Sequence, residues 1–281
     1  MHHVGKLAGA PSVHDGYEGH SEGCERLAVL GSQHGSLHQA ITIVELASQG
    51  RIALHAHAFE EGLYVLEGTV TIEVAGAREE LSAHDYCFVE VGVPHALAAG
   101  PAGARCYELH APQPGAQGME DTVFLDDTGQ VEVPEGAFRR GRFDESELPP
   151  PSSAIGLEGF GAANVGVASL RMLVDRELGS SQFNLFVVQY GPGGYIKEHD
   201  HPFEESFLFV SGEIEAVLDG RTYELAAGDY CWSGVGSMHS FTNRGDEPVR
   251  WIETQVPQPP ARHQARFKGD WERLWGNTRR R

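Results

Sequence analysis

Positive charge is scarce in this sequence. Its 281 residues include 21 lysines and arginines against 40 aspartates and glutamates, which gives a formal net charge of −19. A nucleic-acid backbone requires a basic face that displaces its counterions, and an anionic membrane surface attracts basic segments for the same reason. The composition therefore excludes both as expected partners and leaves a small molecule as the expected ligand.

Long apolar runs and cysteines are also few. No segment reaches the length of a signal-peptide core or a membrane span, so we expect a cytoplasmic protein. Of the four cysteines, Cys87 and Cys231 fall at equivalent places in two copies of a repeat, so we do not expect a bridge between them. Cys24 and Cys106 are unconstrained, and all four are expected to be reduced thiols in or near a core.

The sequence does contain a long internal repeat. The set His55, His57, Glu61, Gly68 and His95 recurs as His199, His201, Glu205, Gly212 and His239, each member 144 positions later. Asp85-Tyr86-Cys87 recurs as Asp229-Tyr230-Cys231 at the same distance. A period of this length indicates two copies of one domain. We expect an N-terminal domain at 1–114, a linker at 115–162 and a C-terminal domain at 163–281.

Each copy consists of short apolar runs between glycine, proline and acidic turns, which predicts an all-β fold of two tandem barrels. The predicted strands are Ala40–Leu46, Gly62–Leu66, Val70–Val74, Phe183–Tyr190, Ser206–Val210 and Ile214–Leu218. The linker is expected to hold one short strand near Thr122–Leu125. At the end of the chain, the aromatic and leucine spacing over Arg266–Trp275 predicts a short helix packed on the second barrel.

The repeated side chains are metal ligands. Two histidines one residue apart on a strand face the same side, a glutamate follows four positions after the second, and the last histidine comes from a separate hairpin. Three imidazoles and one carboxylate suit Fe(II) or Mn(II), with Ni(II) and Zn(II) also open. The ligand set predicts one divalent ion in each barrel, with two positions of a six-coordinate ion left for small molecules.

These motifs resemble the cupin superfamily, specifically its bicupins. The first motif runs from Gly50 through the His-Ala-His segment to Gly68, and again from Gly194 to Gly212. The second motif ends in Gly-Val-Pro-His at residue 95 and in Gly-Ser-Met-His at residue 239. The resemblance covers about residues 36–114 and 180–260 and implies double-stranded β-helix barrels. In the first copy His84 stands where the family usually has glycine, and no asparagine matches Asn243.

The second copy is the predicted substrate site, because aromatic walls with a few polar groups favour ligand binding. Its expected aromatic wall residues are Phe207, Phe209, Trp232 and Phe241, with Gln189, Arg250 and Gln255 as polar contacts. The equivalent positions of the first copy are Leu63, Val65, Phe88 and Leu97, which are smaller or aliphatic except for Phe88. Plain barrel core remains the alternative for the aromatic residues.

Several reactions fit the resemblance, because this fold hosts many activities. A dioxygenase acting on a small organic acid or an enolisable or aromatic substrate is preferred, with Glu205 as metal ligand and catalytic base. Oxalate decarboxylases share the ligand pattern but are longer and have an acidic lid. In length and domain order the chain also resembles Mn-dependent ureidoglycine aminohydrolases, a family that typically lacks the paired histidines. A non-catalytic metal- or sugar-binding cupin is the third alternative, and a homo-oligomer such as a dimer is compatible with each of them.

Overall fold

The computed structural model describes residues 1–13, 16–115, 121–126, 133–151, 154–155, 164–259 and 265–269. Strands dominate this part of the chain, with two short 3₁₀ turns at Ser32–His34 and Glu145–Glu147. The chain forms two compact units. One contains residues 9–144 and 173–183, and the other contains residues 1–8, 145–172 and 184–281. The predicted all-β fold of two barrels is confirmed.

The N-terminal unit is built on an eight-stranded sheet in the order β2-β3-β7-β4-β6-β9, with β5 also paired to β4 and β8 to β3. Its strands are β2 (Ser21–Leu30), β3 (Ala40–His57), β4 (Glu60–Val74), β5 (Ala77–Ser82), β6 (Asp85–Val89), β7 (His95–Ala111), β8 (Thr122–Phe124) and β9 (Phe138–Arg142). Long strands β3, β4 and β7 carry alternating apolar residues, and one face of each packs into a shared core that includes Val44, Leu63 and Leu97.

The C-terminal unit is built on an eleven-stranded sheet in the order β1-β16-β13-β18-β12-β17-β14-β15, with β11 and β19 also paired to β12 and β10 to β11. Its strands are β1 (His2–Lys6), β10 (Ala154–Ile155), β11 (Val165–Val174), β12 (Asn184–Asp200), β13 (Glu204–Ser211), β14 (Glu213–Leu218), β15 (Arg221–Ala226), β16 (Asp229–Ser233), β17 (His239–Thr242), β18 (Val249–Val256) and β19 (Arg266–Phe267). Phenylalanines and Trp251 fill much of its core.

The repeat of the sequence is a repeat of the structure. Strands β2, β5 and β6 coincide at both ends with β11, β15 and β16 when 144 is added to each residue number. Gly68 and Gly212 occupy the same turn, with φ of 76° and 75°. A Cβ at Gly68 would lie 2.1 Å from the Gly103 carbonyl oxygen, and one at Gly212 would lie 2.7 Å from the Pro248 carbonyl oxygen. Only glycine allows this backbone conformation and this close approach in both copies.

The unit boundaries differ from the boundaries expected from sequence. The region 115–162 is not a free linker, because β8 pairs with β3 and β9 pairs with β6 in the N-terminal sheet. The strand β1, expected in the first domain, pairs with β16 of the C-terminal sheet. Gly141 of β9 faces Tyr86, and Gly5 of β1 faces the equivalent Tyr230, so the two strands have the same role in the two barrels. The period of the sequence could not reveal which sheet β1 and β9 join, because both strands lie outside the repeat.

The predicted C-terminal helix is wrong at its start. Arg266–Phe267 is extended, because it pairs with His199 and Asp200 of β12, and Phe267 lies against the His199 ring with the ring centroids 5.2 Å apart. Residues 270–275 of that prediction lie outside the described residues. No helix in the described part of the chain is long and apolar enough to cross a membrane.

Candidate metal centres and the C-terminal cavity

The four predicted ligands of the first barrel converge on one point. Strand β3 supplies His55 and His57, β4 supplies Glu61, and His95 is the first residue of β7, paired with His55 across the sheet. All four side chains are buried, and one ligand atom from each lies within 4.8 Å of the others. The second barrel repeats this arrangement with His199, His201, Glu205 and His239.

Backbone carbonyls fix the orientation of each imidazole in the first centre. Nδ1 of His55, His57 and His95 lies 2.8, 2.7 and 3.0 Å from the carbonyl oxygens of Ala53, Phe59 and Val93. Nδ1 must donate to these acceptors, so Nε2 of a neutral ring presents its lone pair to the centre. Nε2 of His57 then faces the Glu61 carboxylate at 3.1 Å. At this distance either a proton or a metal ion lies between the nitrogen and the carboxylate oxygen.

The second centre has the same construction. Nδ1 of His199, His201 and His239 lies 2.8, 2.7 and 3.0 Å from the carbonyl oxygens of Lys197, Phe203 and Ser237. Glu205 Oε2 is 2.8 Å from His201 Nε2 and 3.1 Å from His239 Nε2. The Nε2 atom of His201 is buried, and its contact with Glu205 lacks the geometry of a hydrogen bond. Donor types, spacing and the unsatisfied nitrogen all fit a divalent metal ion in each barrel.

Burial and the buried carboxylate set the pKa values of the ligands in both centres. Burial alone would lower the pKa of His95 and of His201, but Glu61 and Glu205 outweigh it and raise both values. Burial lowers the pKa of His55 and of His199 well below the usual histidine value, and the neighbouring histidine in each centre lowers it further. Burial alone would raise the pKa of Glu61 and Glu205, but the adjacent imidazoles outweigh it and hold both values well below the usual range. Neutral imidazole and ionised carboxylate are the forms that bind a metal.

A buried arginine, a glutamate and a further histidine adjoin the first centre. Glu108 and His110 follow one another on the inner face of β7, and Arg26 reaches Glu108 from β2 with both terminal nitrogens, 3.1 and 2.5 Å from the two carboxylate oxygens. Arg26 and Glu108 are 5% and 2% exposed. The Arg26 guanidinium also lies 4.1 Å from the centre of the Tyr17 ring. The interior of the first barrel is therefore occupied by a buried ion pair.

The second barrel holds a cavity of about 160 Å³ at its metal centre. His199, Glu205 and His239 form one part of its wall. The remaining wall residues are Leu170, Met172, Asn184, Phe186, Val188, Tyr190, Ile196, Phe207, Phe241, Trp251, Glu253 and Gln255. Leu170 is the counterpart of Arg26 at the 144 spacing, so a neutral side chain stands where the first barrel has its arginine.

Glu253 is the functional candidate that sequence reasoning missed. It is buried in the cavity wall and accepts a hydrogen bond of 2.7 Å from the Trp251 indole nitrogen. Among the residues that the structure describes, no basic side chain pairs with it. Burial raises the pKa of Glu253 well above the usual value, and the Glu205 carboxylate raises it further. A sequence signal was present. Near the ends of the two copies the spacing becomes 145, as Pro112-Gln113-Pro114 and Pro257-Gln258-Pro259 show, and Glu108 and Glu253 match at that spacing.

The structure places three of the seven predicted substrate contacts in the cavity wall, namely Phe207, Phe241 and Gln255. Gln255 donates to Glu205 Oε1 at 2.8 Å. Phe209 is on the same face but packs deeper, against Phe241 and Trp251. Whether any of them contacts a substrate stays a prediction.

The structure places the other three predicted contacts outside the cavity wall. Gln189 and Arg250 face each other across β12 and β18 on the outer side, where the Arg250 Nη2 donates to Gln189 Oε1 at 2.6 Å. Trp232 also points away from the cavity and donates to Glu204 at 3.3 Å, because its neighbour Cys231 occupies the inner face of β16.

Comparison with known proteins identifies the repeated unit. A family model described as a cupin domain matches residues 42–109 and 186–254. Among curated proteins, polyketide synthase CurC of Streptomyces cyaneus is 39% identical over 70 residues, which are 25% of this chain and 46% of CurC. The tetracenomycin polyketide synthase protein TcmJ of Streptomyces glaucescens is 26% identical over 102 residues, 35% of this chain and 68% of TcmJ. The chain thus matches less than half the length of CurC.

Solved structures match over nearly the whole chain. The formate complex of Lactobacillus farciminis oxalate decarboxylase has a TM-score of 0.67 at 17% identity, covering 96% of this chain and 90% of that one. Bacillus subtilis oxalate decarboxylase at pH 4.6 has a TM-score of 0.65 at 16% identity, covering 95% and 78%. At these identities the likeness concerns the fold. With a cupin domain matched in each barrel and both ligand sets assembled, the chain belongs to the cupin superfamily as a bicupin.

Proposed function

We propose that this bicupin is a metal-dependent enzyme whose substrate binds in the C-terminal barrel. The observation that carries the proposal is the cavity of about 160 Å³, which has the ligand atoms of the second centre on one side and the Glu253 carboxyl on the other. A cavity of about 150 Å³ is large enough for a benzene-sized molecule. The site therefore suits a small acid, or one ring or one end of a larger substrate.

The cavity walls indicate the chemistry of that substrate. Phe207, Phe241 and Trp251 offer flat apolar faces that suit a planar ring or enol. Asn184 donates to Gln255 at 3.2 Å, and Gln255 donates to Glu205, so this chain of amides holds the ligand carboxylate in position. The Glu253 carboxyl is placed to hold or transfer a proton at a substrate oxygen.

The reaction that we favour is oxidation by dioxygen of an enolisable or aromatic substrate. Fe(II) or Mn(II), when bound by His199, His201, Glu205 and His239, would supply a redox-active centre beside the substrate. The protein residues bind and orient the substrate, exclude bulk water with the aromatic wall, and keep a protonated carboxyl within the cavity. The curated relatives favour a polyketide-derived substrate, since polyketides carry enolisable β-carbonyl groups and form aromatic rings.

A second candidate is a reaction without oxygen, either proton transfer that closes a polyketide ring or metal-assisted hydrolysis. The specific observation in favour of ring closure is the likeness to polyketide synthase proteins together with a pair of buried carboxyls, one ionised and one protonated. Both alternatives use the same cavity and differ in whether oxygen is consumed.

The test is a screen of Fe(II)- and Mn(II)-loaded protein with small organic acids, catechols, β-diketones and phenolic polyketides, in which loss of the compound and uptake of oxygen are both followed. Substrates that are consumed are then assayed in air and under argon with the same protein. We expect turnover in air only. Equal rates under argon would remove the dioxygenase and favour ring closure or hydrolysis, and the products would distinguish the two. If no compound is consumed in either atmosphere, the result would favour a non-catalytic binding protein.

A further inference from the structure

We infer that His110 is a fifth protein ligand of the N-terminal metal centre, so that the two centres of this chain differ by one imidazole. The inference concerns the barrel that the proposed reaction does not use, and it holds or fails independently of that reaction. It starts from the pairing of β7 with β4, which sets His110 directly across from Glu61.

The His110 ring lies at the Glu61 end of the centre, where Glu61, Glu108 and His110 bring one ligand atom each within 4.8 Å of one another. Its Nε2 lies 3.4 Å from Glu61 Oε2, the same oxygen that faces His57 Nε2 at 3.1 Å and His95 Nε2 at 3.5 Å. The side chain is 5% exposed, and its Nε2 makes no hydrogen bond. A buried ring nitrogen without a hydrogen bond requires an explanation, and a metal ion at the shared oxygen provides one.

The neighbouring ion pair leaves His110 available. Its Nε2 also lies 3.2 Å from Glu108 Oε2, which suggests a salt bridge as the alternative role. Arg26 already matches the charge of Glu108 with two hydrogen bonds in a forked geometry. Glu108 therefore does not need a second cation, and it can accept or release its contact with His110 while the imidazole binds a metal.

The second barrel shows what the same position does without an imidazole. Gln255, the counterpart of His110, is paired with Glu205 across β18 and β13. It donates to Glu205 Oε1 at 2.8 Å, whereas the histidines of that centre face Oε2. Gln255 thus orients the Glu205 carboxylate through Oε1, whereas His110 faces Oε2 of Glu61, the oxygen that the ligand histidines also face.

Two consequences follow for metal binding. Four imidazoles and one carboxylate leave a six-coordinate ion a single open position in the first barrel, against two in the second. The additional nitrogen also favours Zn(II), Ni(II) or Fe(II) over Mn(II) at the first centre. The N-terminal ion is therefore held more tightly and is less open to substrate.

The test isolates each centre in the full chain and counts its imidazoles. Protein in which His199→Ala and His201→Ala remove the second centre is loaded with Co(II), and X-ray absorption gives the number of imidazole ligands. We expect four in this parent and three after His110→Gln, with a changed visible spectrum of Co(II). Chelator competition should show affinity that is roughly 10–100-fold lower in the variant.

The reciprocal variant tests the position itself. In protein with His55→Ala and His57→Ala, Gln255→His should raise the imidazole count of the second centre from three to four. A count of three in the parent with His110 present would overturn the inference and assign His110 to a salt bridge with Glu61 and Glu108. If His110→Gln does not fold, the parent count alone decides between these outcomes. An unchanged count after Gln255→His would also count against the inference.

Discussion

The two barrels repeat the same four ligands and differ in what surrounds them. Three equivalent positions carry the difference: Arg26 against Leu170, Glu108 against Glu253, and His110 against Gln255. In the first barrel a buried arginine neutralises the glutamate and fills the interior. In the second the arginine is replaced by leucine, the glutamate lines a cavity, and burial raises its pKa well above the usual value. A duplicated metal site can therefore keep its four repeated ligands while one copy holds a buried ion pair and the other a cavity.

The largest expected effect separates the two centres by activity. His57→Ala and His201→Ala remove equivalent ligands, so each variant should lose about half of the bound metal. Only His201→Ala should abolish turnover of a substrate found by the screen, because its centre borders the cavity. Metal analysis and turnover are measured on the same preparations, with circular dichroism as the control for folding. Greater loss of turnover in His57→Ala would reverse the assignment.

The next effect is on stability. Arg26→Leu gives the first barrel the residue of the second and leaves Glu108 buried without its cation. Removing one partner of a buried ion pair costs roughly 3–5 kcal/mol of unfolding free energy. Urea unfolding measures this loss of free energy. The transition is monitored with a spectroscopic probe other than tryptophan fluorescence that reports on the N-terminal unit. The double variant Arg26→Leu/Glu108→Gln should recover part of the loss, and no recovery would show that Arg26 acts mainly through packing on Tyr17.

A smaller effect is expected for Glu253→Gln. Turnover should fall roughly 10²-fold, because a positioned proton donor is lost, while metal content stays the same.

The same substitution should also change how the stability of the protein depends on pH. The pKa of Glu253 is raised in the folded state, so wild-type protein loses stability relative to the glutamine variant as pH rises above about 4.3, the unfolded value.

Chemical unfolding at several pH values measures that difference between wild type and Glu253→Gln. Glu108→Gln is the matched control, since it leaves Arg26 buried without a carboxylate and should destabilise the protein at neutral pH. If Glu253→Gln were the more destabilising of the two, Glu253 would be ionised in the folded protein.

The smallest effect concerns a turn that differs between the copies. Asp219 stands where the first copy has Ala75, and it accepts hydrogen bonds from the Met238 backbone nitrogen and the His2 ring, each at 3.0 Å. Burial raises the pKa of Asp219, but hydrogen bonds from His2, the Met1 amino group and Ser237 together outweigh it, so the pKa is lowered. Asp219→Ala should cost about 1 kcal/mol at neutral pH.

The contribution of Asp219 is fully present above its unfolded pKa of about 3.9 and is lost as pH falls further. Thermal unfolding of wild type and variant should therefore converge in acid. A difference that persists at pH 2 would assign the effect to the backbone of the turn.

The ligands were predictable from sequence because their geometry is local. Alternation along a strand puts His55 and His57 on one face, and the repeat confirms the set. The inward face of a whole strand was less predictable. In β12 the pairing with β17 shifts between Ile196 and His199, so the parity of His199 does not extend back to Gln189. Tyr190 and Val188 point inward instead, and Gln189 points outward.

Contacts between distant segments were also beyond the sequence pattern. The Arg26 and Glu108 pair joins residues on β2 and β7 that no short motif connects, and it determines how the first barrel is filled. Glu253 matches Glu108 in the repeat, but the structure is needed to show that it lines a cavity. Leu170 lies in the wall of that cavity, where the first barrel has Arg26. The repeat shows what the copies share, whereas function depends here on what they do not share.

The pairing of β1 with β16 affects how the polypeptide can be made and handled. During synthesis, residues 2–6 leave the ribosome more than 200 residues before their sheet partner at residues 229–233. Ser233 lies between His2 on one side and the ligand Glu205 on the other. An affinity tag fused ahead of residue 1 would therefore disturb the C-terminal centre before the N-terminal one. A fragment that starts at residue 145 would contain all the ligands of that centre and still lack a strand beside it.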